Sequence, residues 1–239
     1  MMRNEKISES ISRAIVAQVT DQGFSAGDVL ESEADMMSRY KVSRGSLREA
    51  LRILEVLGFI LMKPGPKGGP ILQSPDSRQF SAMAALFYQR IGARYSDLLE
   101  IRLILEPEAA ALAAARRTPE QVKILQDYLE KSGRASLDDD RQFRAVGQGF
   151  HDLIADMAGN GILSLLVHSS YDLFAGKSTG FLYPNEERRC ISDIHNKIAY
   201  AVIEGYEDKA RSLMRDHMRD YYDQARSRFP EMMEEPVRW

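Results

Sequence analysis

The 239-residue sequence predicts a mainly α chain: a small helical head carrying one β-hairpin, followed by an all-α bundle. Three observations predict it. Apolar residues recur every three to four positions over residues 5–20 and 44–57, the spacing of helices with one buried face. Between residues 59 and 72 two short apolar runs flank a Gly/Pro-rich tip, the mark of a hairpin. From about residue 78 onward the pattern turns helical and stays so, with no convincing strand.

In the first helix, residues 5–20, Ile7, Ile11, Ile15 and Val19 stand every four positions, and Asp21-Gln22-Gly23 ends it. Ser32 to Tyr40 reads as a short second helix and Lys41-Val42 as the turn into a third, which runs to Gly58. Ser43 is placed to act as N-cap, Ser46 with Glu49 fits a capping box, and Gly58 closes the helix as a C′ residue. Leu47, Ala50, Leu51, Leu54 and Leu57 share one face. Arg44, Arg48 and Arg52, four residues apart, form a stripe on another. Such a stripe suits a phosphate-rich partner; the plain alternative is a solvated face on which Glu55 pairs with Arg52.

The neighbours favour the first reading. Short helix, tight turn and basic helix make a helix-turn-helix, and strands at 59–63 and 71–72 around Pro64–Pro70 make a wing. The expected DNA-contacting residues are Ser43, Arg44, Gly45, Ser46, Arg48 and Arg52, with Lys67 and the free amide of Gly68 at the wing. The net charge of −3 hides this footprint. Residues 39–67 hold seven basic side chains against Glu49 and Glu55, a local +5, whereas residues 21–35 carry five acids and no base.

The expected organisation is a winged helix-turn-helix domain at 1–73, a polar linker at 74–78, an all-α domain at 79–229 and a tail at 230–239. Helices are expected near 79–92, 96–116, 119–132, 138–158, 160–175, 187–204 and 206–228, with a long loop at 176–185. Thr118-Pro119-Glu120-Gln121 is a clear helix start. No run approaches the ~20 apolar residues of a membrane span, and no signal peptide opens the chain. The lone Cys190 excludes an internal disulfide and fits a cytoplasmic location. Of the four histidines, none lie at i, i+3 or i+4, so spacing alone reveals no metal signature.

Gly27-Asp28-Val29-Leu30-Glu31-Ser32-Glu33, Val42-Ser43-Arg44, Leu47-Arg48-Glu49-Ala50-Leu51, Leu54 and Gly58-Phe59-Ile60 together resemble the GntR-type winged helix-turn-helix over roughly residues 5–73. Glu31 replaces the usual proline, and Ala34 stands where many members carry a DNA-contacting arginine. Behind the head, residues 99–110, Phe150-His151-Asp152-Leu153-Ile154-Ala155 with Ala158-Gly159-Asn160, and Ile194–Ile198 through Gly205 to Met218 resemble the FCD ligand-binding domain of the FadR subgroup.

In metal-binding FCD domains three histidines and an aspartate converge on a divalent ion. His151, His195 and His217 match the histidines, and His168 matches none. Gly147 stands where the aspartate is expected, one turn before His151. The resemblance therefore implies a zinc- or nickel-like ion on three imidazoles, with an open position for water or a carboxylate. It also points Arg102 into the bundle as an effector-binding residue; alone, Arg102 reads as a surface partner of Glu106.

The expected protein is a cytoplasmic, homodimeric DNA-binding repressor, not an enzyme. A small organic acid, or alternatively an acyl compound, would control its grip on double-stranded operator DNA. A metal-dependent hydrolase using the three histidines, and a DNA-binding protein whose helical domain only dimerises, are the other readings.

Overall fold

A computed structural model describes residues 6–65, 68–74, 76–132, 139–175 and 184–238. The chain divides into two compact units, Met1–Gln79 and Phe80–Trp239.

In the first unit, α1 (Ile7–Asp21) buries Ile11, Ile15 and Val19. Ile7 is 64% exposed, contrary to the four-residue pattern, and the buried positions of that turn are Ser8 and Ser12. Ser12 Oγ donates to the Ser8 carbonyl at 2.8 Å and lies 3.1 Å from that of Ala50, bracing α1 against the basic helix. α2 (Glu33–Tyr40) is capped by Ser32, which accepts the Asp35 N–H. Lys41 leaves it in the left-handed region, φ 52°, making the sharp turn.

α3 (Arg44–Val56) starts on Ser43, whose Oγ accepts the Ser46 N–H at 3.2 Å. Ser46 thus lies inside the first turn and caps nothing; Ser43 is the single start. At the other end Phe59 N–H donates to the Leu54 carbonyl and Gly58 N–H to that of Glu55, both at 2.9 Å. With Gly58 at φ +72° this is a Schellman closure. β1 (Ile60–Lys63) and β2 (Gly69–Leu72) pair antiparallel, Ile60 opposite Leu72. Residues 27–30 lie along the other edge of β2, with Leu30 N–H on the Pro70 carbonyl and Leu72 N–H on that of Asp28. The head core joins Ile11, Ile15, Met36, Leu47, Leu51, Leu54, Ile60 and Leu72.

The second unit holds α4 (Ser77–Ile91) from Phe80 onward, α5 (Tyr95–Arg116), α6 (Pro119–Ser132), α7 (Asp140–Met157), α8 (Gly161–Ala175), α9 (Asn185–Glu204), α10 (Glu207–Arg228) and α11 (Pro230–Glu234). α4 starts two residues before its expected position, inside the stretch read as linker. α6 opens on a reciprocal cap between Thr118 and Gln121. Among the described residues no strand follows β2. α5 is central: Ala110, Ala113 and Ala114 pack with Phe150 and Ile154 of α7, Ile198 and Val202 of α9, and Met214 and Met218 of α10.

The segment expected as a tail is built into this unit. Met233 and Val237 are buried beside Tyr95, Leu98 and Phe174. Val237 N–H donates to the Ala93 carbonyl at 2.8 Å, and Tyr95 N–H to that of Glu235 at 3.1 Å. The pairing joins residues about 140 apart, which local periodicity does not report.

Candidate functional site

The head presents the basic surface on α3. Burial of Leu47, Ala50, Leu51 and Leu54 turns the opposite face outward, and Ser43, Arg44, Gly45, Arg48 and Arg52 are exposed there, with Ser46 half-buried. Gly45 adds no bulk: a Cβ there would meet nothing nearer than Ser43 Oγ at 3.9 Å. Among the described residues Arg44 and Arg52 form no ion pair, while Arg48 Nε lies 3.1 Å from Glu33 of α2. Glu31 likewise pairs with Arg39, so acids of the 21–35 run sit against the basic block. Glu55 does not pair with Arg52; its Oε1 accepts the Met62 N–H at 3.1 Å and ties α3 to β1. Lys67 lies outside the described residues. The Gly68 N–H is not free, because it donates to the Gly65 carbonyl at 2.9 Å. A Cβ on Gly68 would stand 2.0 Å from the Lys63 carbonyl, so its role is to close the turn.

The second unit encloses the other site. His151 of α7, His195 of α9 and His217 of α10 are all buried and bring one ligating atom each within 4.8 Å of one another. The Nε2 atoms of His195 and His217 are 3.1 Å apart, and those of His217 and His151 are 3.3 Å apart. The His195 ring stacks on Phe150 at 4.3 Å, and those of His151 and His217 stack at 5.3 Å, so packing fixes their planes. Burial, then the neighbouring imidazoles, holds His195 well below its ordinary range. Burial, then His151, holds His217 down at about 3. Both rings are therefore neutral near pH 7, the form that binds metals.

Arg102 of α5 is 2% exposed and lines the same cavity. It does pair with Glu106, but inside the bundle: Arg102 Nε donates to Glu106 Oε1 at 2.5 Å. Its guanidinium carbon lies 5.4 and 5.6 Å from the ring centres of Tyr171 and Tyr221. Glu106 Oε2 accepts from His151 Nδ1. Burial alone would raise this carboxyl; Arg102 and then His151 outweigh it and bring it down to about 2. An ionised carboxylate only accepts, so Nδ1 carries the proton and Nε2 faces the other two rings. Glu106 was not singled out from the sequence. The available signal was α5 itself, whose apolar residues are spread over several faces, so that more than one side of it is packed.

Gly147 lines the cavity, and a Cβ there would meet nothing nearer than His195 Cε1 at 4.0 Å. The cavity measures ≈ 80 Å³, well above the about 10–15 Å³ needed to admit a single water, so it has room for a few waters or a short ligand. His168 takes no part. It lies 3.3 Å from Asp156 and 3.6 Å from Asp152, and the bond to Asp156 outweighs burial to raise it to about 9.

Residues 7–66 match the family described as bacterial regulatory proteins, gntR family, and residues 97–220 match the FCD domain. The chain belongs to the GntR family. The HTH-type transcriptional regulator LutR of Bacillus subtilis is 30% identical over 204 residues, 82% of this chain and 91% of that protein. The HTH-type transcriptional repressor NanR of Klebsiella aerogenes is 30% identical over 163 residues. That match covers 67% of this chain and 62% of NanR, under two thirds of the repressor's length. Among solved structures, Streptococcus agalactiae GntR superposes with a TM-score of 0.70 at 21% identity, covering 90% of this chain and 99% of that one, and so shares the fold.

This GntR protein is accordingly a DNA-binding transcription regulator, with an N-terminal winged helix-turn-helix and a C-terminal helical FCD effector domain. The metal-dependent hydrolase reading finds no support in these relatives. Among the described residues no helix is long and apolar enough to cross a membrane.

Proposed function

We propose that this GntR protein is a cytoplasmic repressor of the FadR subgroup. A homodimer binds a palindromic operator and releases it when a small organic acid enters the FCD cavity. One observation carries the reading: three imidazole Nε2 atoms converge in the wall of a small cavity that also contains Arg102. The name of NanR supports the repressor assignment. One head has too few contacts for a specific site, which supports the dimer.

His151, His195 and His217 are the residues that would hold a zinc- or nickel-like ion. The donor set fits, being three nitrogens of which two are held neutral, with a carboxylate on the far nitrogen of the third. Such an ion would supply a Lewis-acidic cation for an effector carboxylate. The open space at Gly147 leaves that carboxylate room. The protein's own residues bring the rest: Phe150 fixes the His195 plane, and Glu106 fixes the His151 tautomer. At about 80 Å³ the cavity favours a short acid over a long acyl chain.

The reading is tested by elemental analysis of wild type and His217→Ala after dialysis against a chelator and reloading. Operator binding is then titrated with short acids. About one ion per wild-type chain, little in the variant, and acid-driven operator release are expected. Equal, negligible metal in both proteins overturns the metal, and operator binding indifferent to every acid leaves only a dimerising domain.

A further inference from the structure

Arg39, Arg44, Arg48 and Arg52 differ in how much of each guanidinium the head itself occupies. Arg39 is spent, because Glu31 accepts from its Nε at 2.9 Å and from its Nη2 as well. Arg44 and Arg52 are exposed and form no ion pair among the described residues. Arg48 stands between these cases. Its Nε donates to Glu33 Oε2 at 3.1 Å, and among the described residues neither Nη1 nor Nη2 is engaged. The outer fork is therefore open, on a side chain that is 64% exposed. Glu33 is the fixed half of the pair. It is half-buried in the first turn of α2, where the Ser32 cap holds the backbone in place.

Resting on the α3 face as the DNA-reading surface, the geometry points to Glu33 as the positioning residue that aims Arg48 at the edge of a guanine. An exposed ion pair of this kind adds little to stability. Its effect is on binding. Phosphate contact depends on charge, and a carboxylate on Arg48 offsets that charge and repels the backbone. Base reading depends instead on two parallel N–H groups meeting guanine O6 and N7, and the open fork supplies them. A guanidinium already braced at Nε also has less rotamer freedom to lose on binding. Glu33 thus trades general grip on DNA for discrimination at one base pair, and it acts through Arg48 alone.

The probes are a duplex that the full-length wild type selects from a randomised pool, the same duplex with each guanine replaced in turn, and a scrambled duplex. Fluorescence anisotropy reads binding to each. Arg48→Ala should lose roughly tenfold of discrimination at one guanine of each half-site. Glu33→Gln keeps the size and removes the charge. It should lose about three- to tenfold at that same guanine, while binding the scrambled duplex at least as tightly as wild type. In the Arg48→Ala background Glu33→Gln should cost nothing further there. Full discrimination by Glu33→Gln overturns the inference, and so does an equal loss in the Arg48→Ala background, which would make Glu33 a base contact in its own right. Weaker binding of Glu33→Gln to all duplexes alike overturns it too, reducing Glu33 to a helix-start residue. Wild-type binding of every duplex by Arg48→Ala is a different failure, since it removes Arg48 from the DNA-reading surface on which the inference rests.

Discussion

Glu106 sits between a guanidinium and an imidazole at 2% exposure, and no part of its environment is local except Arg102. The sequence reads the pair as a helix-surface contact because i, i+4 spacing carries no burial information. The histidines were legible only through the family resemblance, since they come from three helices and no spacing unites them. Glu106→Gln keeps the shape but strands Arg102, and should cost about 3 kcal/mol. It should also weaken zinc binding about 10–100-fold, through loss of the group that orients His151. Arg102→Met/Glu106→Leu should recover much of the stability and little of the zinc affinity. Denaturant melts and chelator competition measure the two, and wild-type zinc affinity in Glu106→Gln would refute the positioning role. His168 makes a separate prediction. Its folded-state pKa is raised from 6.5 to about 9 by Asp156, so the pair's stabilisation is complete below pH 6.5 and is lost as pH rises through about 9. The pair is part exposed, so the contribution is on the order of 1 kcal/mol. Urea melts of wild type and His168→Ala should differ most near pH 6 and converge near pH 10; a constant gap would show that His168 acts by packing.

At the scale of elements, α3 was legible because its start, end and faces are set within seventeen residues. Ser43 and Gly58 do what a cap and a C′ glycine do anywhere, and the buried Leu47, Ala50, Leu51 and Leu54 follow from a 3.6-residue period. What escaped reading is what tertiary contact decides. Residues 27–30 become a sheet edge because β2 offers them partners, and residues 230–237 fold back because Tyr95 and Ala93 receive their backbone. Glu55 illustrates the same point inside α3: the alternative reading paired it with Arg52 at i−3, and its actual partner is an amide of the wing. This separates two variants. Arg44→Ala removes an exposed guanidinium and should cost about 1–3 kcal/mol of binding if that group reads a base edge, relaxing preference at one operator position. Glu55→Ala releases the Met62 amide, at about 1 kcal/mol of head stability. It should weaken specific and non-specific duplexes alike, with faster exchange of the Met62 N–H. Fluorescence anisotropy on matched and scrambled duplexes distinguishes them, and a sequence-selective loss in Glu55→Ala would contradict the wing-anchoring role.

Across the whole molecule, charge and ligand chemistry are divided between the two units. The net charge is −3, yet residues 39–67 carry a local +5, so attraction to phosphate is confined to the head while the FCD unit stays free to hold neutral imidazoles and a buried ion pair. Salt should therefore act strongly on operator affinity and weakly on acid affinity, because only the first releases counterions. The two affinities are nevertheless bound by linkage. If an acid lowers operator affinity by some factor, operator must lower acid affinity by the same factor, whatever the structural route. The acid can shift the equilibrium only through its different affinity for the DNA-bound and free forms, and couplings of this kind typically amount to about 1–3 kcal/mol, or 5–150-fold. The short acid that binds most tightly should therefore weaken operator binding by a factor in that range, and calorimetry on the preformed protein–operator complex should return an equally weakened acid affinity. Raising the salt should shift operator affinity with and without acid in parallel, leaving the ratio between them nearly fixed. A ratio that collapses with salt would mean the acid acts as a counter-anion on the Arg44/Arg48/Arg52 face, and the cavity would not be the effector site.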